Sequence, residues 1–180
     1  MRITLHLEHV ASPIGTMLLA ADEEGTLRAL DFADYESRMQ RLLGRHYGTT
    51  YELRPGRVPA SVTTALADYF DGALTALDAV AVRTNGSAFQ QRVWAALRDI
   101  PAGATTSYGR LASTLGQASA SRAVGLANGA NPIGIVVPCH RVIGANGKLT
   151  GYGGGLERKR WLLDHEARFQ TAAVPARASA

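Results

Sequence analysis

Strand-like runs dominate the first half of this chain, and helical spacing dominates the second. The segments around Thr4 to Val10, Thr16 to Ala21 and Thr26 to Phe32 are short and apolar, and they are joined by Ser12-Pro13-Ile14-Gly15 and Asp22-Glu23-Glu24-Gly25, so they predict three strands linked by turns. Tyr35 to Arg45 has the spacing of an amphipathic helix. A loop containing Pro55 and Pro59 leads to a second helix near Ser61 to Leu74, and Ala79 to Arg83 reads as a returning strand. Thr84-Asn85-Gly86-Ser87 is the best boundary, which makes residues 1–87 a small α+β domain of sheet and helix.

From residue 88 to 170 the pattern is mostly helical. Phe89, Val93, Leu97 and Ile100 share one face of a first helix. Ser107 to Leu115 and Ala120 to Ala130, separated by Gly116 and a short polar turn, have the lengths and breakers of a helix-turn-helix in a winged-helix-like domain. Its second helix carries Ala120, Ala123, Gly125, Ala127 and Gly129 and a single long polar side chain, Arg122, so it is poorly equipped to read base edges. Small residues of this kind allow close backbone approach, or else tight packing within the domain. Ile133 to Val137 reads as a buried extended segment that Pro138 ends. Leu156 to Phe169 is helical again, and the tail, Thr171 to Ala180, reads as disordered.

Charge sharpens the division. The 180 residues carry a net charge of +4, but residues 1–87 hold eight Lys and Arg against eleven Asp and Glu, whereas residues 88–180 hold eleven against four. A basic second half suggests a polyanionic partner, since phosphate contacts dominate nucleic-acid affinity; the plain alternative is an ordinary basic surface. No segment has the order of a signal peptide and no apolar run approaches the roughly 20 residues that span a bilayer, so a soluble cytoplasmic protein with no membrane partner is expected.

Candidate chemistry centres on Cys139, the one cysteine of the chain. It has no disulfide partner and lacks the ligand spacing of a structural zinc site, which leaves either a buried thiol acting as a small hydrophobe or a nucleophile. Pro138 turns the chain just before it and His140 follows, and such a turn lets thiol and imidazole line one pocket. On the last helix, Leu156, Leu162, Leu163 and Phe169 fall along one apolar stripe at helical spacing, and Glu166 falls inside it. A carboxylate there requires a polar partner. His140 is one candidate, and Lys159, on the same face two turns earlier, is the other. A relay from Glu166 through His140 to Cys139 follows the general logic of an activated nucleophile.

Pro138-Cys139-His140-Arg141-Val142, preceded by Asn131-Pro132 and followed by Gly151-Tyr152-Gly153-Gly154-Gly155-Leu156, resembles the O6-alkylguanine-DNA alkyltransferase family in its bacterial single-chain form. The resemblance extends through Thr106-Ser107-Tyr108, Ser121-Arg122-Ala123-Val124-Gly125 and Trp161-Leu162-Leu163-Asp164-His165-Glu166, and more loosely to Ala11-Ser12-Pro13-Ile14-Gly15 and Tyr35-Glu36-Ser37-Arg38-Met39. It implies direct-reversal DNA repair: the Cys139 thiolate takes the alkyl group of O6-alkylguanine, or of O4-alkylthymine, once and irreversibly. It also implies base flipping from the minor-groove side, with Arg122 entering the duplex and Ser121, Ala123 and Ala127 on the docking helix. By the same resemblance His140, acting through a water and oriented by Glu166, lowers the thiol pKa. Tyr108 assists the leaving O6, and Asn131 braces the turn. Cys139, Val142 and Gly153 then read the base through backbone groups, with Tyr152 as pocket wall. No cofactor is implied, and the metal site of some relatives does not carry over because its cysteines are absent. The expected partner is double-stranded DNA containing O6-alkylguanine, bound by a protein that is monomeric in solution and able to assemble cooperatively on DNA.

Three departures stand out. Ala118-Ser119 replaces the usual Pro-Gly, Ser121 replaces an alanine and is a good N-cap, and Gly153 replaces a serine or alanine. The competing readings are a lesion-binding module without transfer activity, a helix-turn-helix transcription regulator and a cysteine hydrolase. A zinc deaminase is excluded by Val142, where its Pro-Cys-x-x-Cys pattern needs a second cysteine.

Overall fold

A computed structural model describes residues 2–173. Strands β1 (Ile3–Val10), β2 (Met17–Asp22), β3 (Leu27–Phe32) and β4 (Tyr51–Pro55) form one sheet in the order β3-β2-β1-β4. The first three pair antiparallel, and β4 runs parallel to β1. The three strands expected from the sequence form within a residue of their expected ends. The fourth is a correction. It is Tyr51–Pro55, inside the expected loop, where an edge position tolerates the missing donor of Pro55. The expected strand Ala79 to Arg83 is reduced to a bridge between Leu27 and Val82 on the outer edge of β3.

All six residues of β2 and all six of β3 are buried. Both faces of the sheet are covered, which explains why these runs show no polar alternation. Helix α1 (Glu36–Tyr47) lies on one face, packing Met39, Leu43 and Tyr47 against Leu5, Leu18, Ala20 and Ala29. On the other face Met17, Leu19, Leu30 and Phe32 join a core that includes Val93, Leu97, Val124, Val137 and Leu162. One hydrophobic core therefore runs through both halves of the chain. Helix α2 (Ala60–Phe70) ends four residues earlier than expected, ahead of Gly72, whose φ of 110° no helix continues.

Helix α3 (Ala88–Arg98) opens with a capping box, in which the Gln90 amide donates to Ser87 Oγ at 3.2 Å and the Ser87 amide to Gln90 Oε1 at 2.9 Å. Its buried face is Val93, Trp94 and Leu97. A two-residue strand β5 (Thr106–Ser107) leads into α4 (Tyr108–Thr114) and α5 (Ser121–Gly129), the expected helix-turn-helix pair. Strand β6 (Val142–Ile143) pairs parallel with β5, a contact no local pattern announces. Ala120, not Ser121, occupies the N-cap of α5, and it makes no side-chain cap bond. Helix α6 (Leu156–Ala173) continues past Phe169 and takes in the first three residues of the expected tail. The remainder of that tail lies outside the described residues. Among the described residues no helix is long and apolar enough to cross a membrane.

Candidate active site

Cys139 is delivered by a chain of tight turns and not by an extended segment. Ile133 to Val137 is buried as expected, but it is folded: the Val136 amide donates to the Gly134 carbonyl at 2.7 Å around Ile135, whose φ is +65°. This is the rarer, positive-φ form of the γ-turn, unfavourable for a β-branched residue. A second γ-turn follows at Pro138 (φ −81°, ψ 65°), where the Cys139 amide donates to the Val137 carbonyl at 2.8 Å. Residues Cys139–Arg141 then form one 3-10 turn.

Such a conformation persists only if its surroundings fix it. Asn131, 1% exposed, does so from within. Its Nδ2 donates to the carbonyls of Val137 at 2.8 Å and Ile133 at 3.4 Å, and its Oδ1 accepts from the Ile133 amide at 3.0 Å. The N-terminal sheet fixes it from outside. Leu30 of β3 donates to Pro132 O and accepts from the Gly134 amide, both at 3.0 Å. The turn holding the cysteine is thus paired to the free edge of the sheet.

His140 and Glu166 are both fully buried, with Nε2 and Oε1 2.7 Å apart. Arg141 grips the same carboxylate, with Nη2 at 2.8 Å from Oε1 and Nε at 3.0 Å from Oε2, while its Nη1 donates to Ile100 O at 2.6 Å. Tyr69 Oη donates to Oε1 at 2.8 Å and the Gly103 amide to Oε2 at 3.2 Å. Burial alone would push the Glu166 carboxyl up, but the hydrogen bonds from His140 and Arg141 and the charge of Arg141 outweigh it and hold the group well below the usual carboxylate range. Burial lowers the His140 imidazole below its ordinary value. A neutral imidazole facing a carboxylate must carry its proton on Nε2, which leaves Nδ1 as the basic nitrogen. Nδ1 accepts from no protein donor among the described residues.

Lys159, the other candidate partner of Glu166, is buried but engaged elsewhere. Its Nζ donates to the carbonyls of Val142 at 2.6 Å, Thr150 at 2.8 Å and Gly151 at 3.4 Å, and so closes the loop between β6 and α6. The Val142 carbonyl therefore already has one donor, and the Cys139 carbonyl accepts from the Val142 amide and from Asn128 Nδ2 at 3.4 Å. The Cys139 carbonyl thus has both lone pairs engaged, the second only by the long Asn128 bond.

Cys139 is 5% exposed, and it opens on a small pocket walled by Phe32, Arg38, Asn131, Tyr152, Gly153 and Gly154. Burial pushes the thiol up from its ordinary value, against opposing contributions from Asn131, Arg38 and Lys159. The expected lowering by His140 is not what this environment provides. The resting group is a protonated thiol beside a neutral base. Tyr152 is in the pocket wall as expected, edge-on to His140 at 6.5 Å. Arg38 of α1 crosses the pocket, pairing with Asp31 at 2.8 Å and donating to the carbonyls of Gly129 at 3.0 Å and Asn131 at 3.3 Å. A Cβ at Gly153 would stand 2.3 Å from the Arg38 guanidinium carbon, so in this arrangement the arginine fills the room that a serine or alanine needs.

Tyr108 begins α4 outside that pocket, under Gly125, and its Oη accepts from Thr150 Oγ1 at 3.1 Å. Ser121, Arg122 and Ala123 are exposed on α5. Ala127 is not: it is 3% exposed, it faces the core, and its carbonyl accepts from Trp94 Nε1 at 2.9 Å. The outer face carries Leu126 instead, 71% exposed and four residues from Arg122. No sequence pattern gives Arg141 or Tyr69 a part in the site, and Lys159 is a candidate only as the partner of Glu166, not as the clamp on the loop carbonyls. An arginine in otherwise apolar surroundings is a usable signal for the first; a tyrosine on an amphipathic helix gives none for the second.

Fold and site together define a two-part protein, in which a sheet-and-helix unit braces a helix-turn-helix unit around one buried thiol. Known proteins share this plan. The model of the 6-O-methylguanine DNA methyltransferase ribonuclease-like domain matches residues 5–84, and that of the same family's DNA binding domain matches residues 88–168. A methylated-DNA–protein-cysteine methyltransferase of Salmonella typhimurium is 51% identical over 88% of this chain and 94% of its own length. One from Mycolicibacterium paratuberculosis is 48% identical over 92% of this chain and 94% of its own. The crystal structure of Mycobacterium tuberculosis OGT in complex with DNA superposes with a TM-score of 0.78 at 46% identity, covering 91% of this chain and 94% of that one. The chain belongs to the 6-O-methylguanine DNA methyltransferase family.

Proposed function

We propose that this protein repairs DNA by moving the alkyl group of O6-alkylguanine, and also of O4-alkylthymine, onto Cys139, and that it does so once per molecule. The observation that carries this reading is the buried Cys139, next in the chain to an imidazole that the Glu166 carboxylate holds at 2.7 Å. His140 Nδ1 receives the thiol proton, through a water, as sulfur approaches the alkyl carbon, and Glu166 stabilises the imidazolium that forms. The sulfur–carbon bond forms, the carbon–O6 bond breaks, and its electron pair leaves on guanine. The departing base takes a proton from Tyr108, which the imidazolium replaces. No second thiol stands ready to release the product. The base enters the pocket of Tyr152 and Gly153, with the Cys139 and Val142 carbonyls on its edge, after Arg38 moves aside and the nucleotide leaves the stack.

Residues 1–87 act as the bracing domain and residues 88–170 as the DNA-binding, alkyl-accepting one. A lone thiol persists in a reducing compartment, which fits a cytoplasmic protein. The protein works as a monomer and assembles cooperatively on alkylated duplex. The decisive experiment is mass spectrometry after mixing with an oligonucleotide bearing O6-methylguanine. One methyl group at Cys139 per protein is expected; product beyond one equivalent, or an unmodified Cys139 in folded, reduced protein, contradicts the reading.

DNA docks on the outer face of α5 from the minor-groove side, where Ser121, Arg122, Ala123 and Leu126 are exposed and Arg122 takes the place of the extruded base. Leu126→Glu removes an apolar contact and sets a negative charge against the phosphates. Affinity for duplex is expected to fall on the order of tenfold at moderate salt. Transfer from free O6-benzylguanine, which needs no docking, should stay unchanged, and gel-shift titration beside the free-base rate distinguishes the two.

A further inference from the structure

Glu166 Oε1 accepts from His140 Nε2 at 2.7 Å, Arg141 Nη2 at 2.8 Å and Tyr69 Oη at 2.8 Å. The first two donors adjoin the cysteine in sequence. The third comes from α2, in the half of the chain that carries neither the thiol nor the docking helix. We infer that Tyr69 is a positioning residue of the transfer reaction: through its hydroxyl the N-terminal half sets how strongly Glu166 draws on the His140 proton, and so how basic Nδ1 is toward the thiol. The inference rests on the function proposed above and extends it to a residue and a half of the molecule with no assigned part in the chemistry.

The placement of Tyr69 is over-determined. The side chain is fully buried, and its backbone carbonyl accepts from His165 Nε2 of α6 at 2.8 Å. The two rings meet edge to face at 5.3 Å. Helices α2 and α6 are therefore pinned together one residue from Glu166, and the hydroxyl has one direction to point. Packing requires only the ring. A phenol with no exposure also requires an acceptor, and this one takes the oxygen that His140 uses. The oxygen shares its electron density among its donors, so each donor weakens the hold of the others. The titratable groups around the cluster are Arg141, Cys139 and His140 on the 139–141 turn, Lys159 and His165 on α6, Tyr152 on the loop before it, and Tyr69 itself. Among these, Tyr69 is the donor to Glu166 that can be deleted without removing either a charge or the imidazole that takes the thiol proton.

The sign follows. With Tyr69→Phe the carboxylate loses a donor, holds the imidazole proton more strongly and makes His140 more basic. The acid limb of alkyl transfer, where His140 becomes protonated and cannot accept from the thiol, should move to higher pH by about half a unit. Tyr69→3-fluorotyrosine is a stronger donor of nearly equal volume, and it should move the limb the other way. The measurement is the rate of Cys139 benzylation by O6-benzylguanine against pH for the full chain and both variants, with the His140 Nε2 proton followed by NMR on nitrogen-15 histidine. Opposite displacements of the limb, with plateau rates within severalfold, support the inference. Coincident limbs, or a uniform loss of rate in both variants, overturn it. Should Tyr69→Phe not fold, the fluorinated variant decides alone. An unmodified Cys139 in the parent protein would sink the proposed function itself, a result distinct from either.

Discussion

Replacing Cys139 with serine is expected to abolish alkyl transfer, with a loss on the order of a thousandfold or more, while duplex affinity stays within severalfold. A neutral imidazole matches a thiol far better than an alcohol, whose pKa lies many units higher, and the hydroxyl oxygen is the weaker nucleophile. The proposed docking face, on α5, shares no side chain with the turn at 139–141. Cys139→Ser should therefore separate recognition from chemistry. Single-turnover transfer and gel shift on one alkylated duplex read both quantities. Loss of binding in parallel with transfer would instead assign the cysteine a structural part. Retained transfer would show that Cys139 is not the alkyl acceptor.

Glu166→Gln should have the largest effect on stability. It leaves the Arg141 guanidinium buried without a counter-charge and replaces one of the two oxygens that accept from His140, Tyr69, Arg141 and Gly103 with an NH2 donor, for which a cost of about 3–5 kcal/mol is reasonable. Denaturant melts at neutral pH give the value directly. The pH dependence supplies an independent check. The folded carboxyl titrates below the unfolded one, so its contribution is fully present above the unfolded pKa of about 4.3 and is lost as pH falls through that value toward the folded one. Wild-type stability should decline on acidification by up to about 1.4 kcal/mol per pH unit from this proton, and the glutamine variant should lack that slope. Parallel acid profiles would show that folding leaves the pKa of this carboxyl unchanged, and a wild type that gains stability on acidification relative to the glutamine variant would show the group to be neutral in the folded protein.

Cys139 and Glu166 could be singled out from the chain alone, one as a solitary thiol ahead of a histidine, the other as a carboxylate inside an apolar helical stripe. Their alignment could not. The strand ends of β1 to β3, the extent of α3 to α5 and the burial of Glu166 all follow from local periodicity and capping, which act within a few residues. The misread segments are those where distant partners override local preference. Tyr51–Pro55 is a strand because β1 lies beside it, and Ile133 to Val137 is folded because Asn131 and Leu30 take the hydrogen bonds an extended segment would have made. Ala127 faces inward because Trp94 claims its carbonyl, leaving Leu126 outside.

The sequence by itself determined the two-part plan, the nucleophile, its histidine neighbour and the need to neutralise one buried carboxylate. Only the tertiary structure decided which groups meet that need. Tyr69 lies 97 residues from Glu166 and Arg141 lies 25 away, and Lys159, on the same helix, turns to carbonyls instead. Periodicity reports which face of an element is buried. It carries no information about which buried faces meet, because that is fixed by packing the whole core at once.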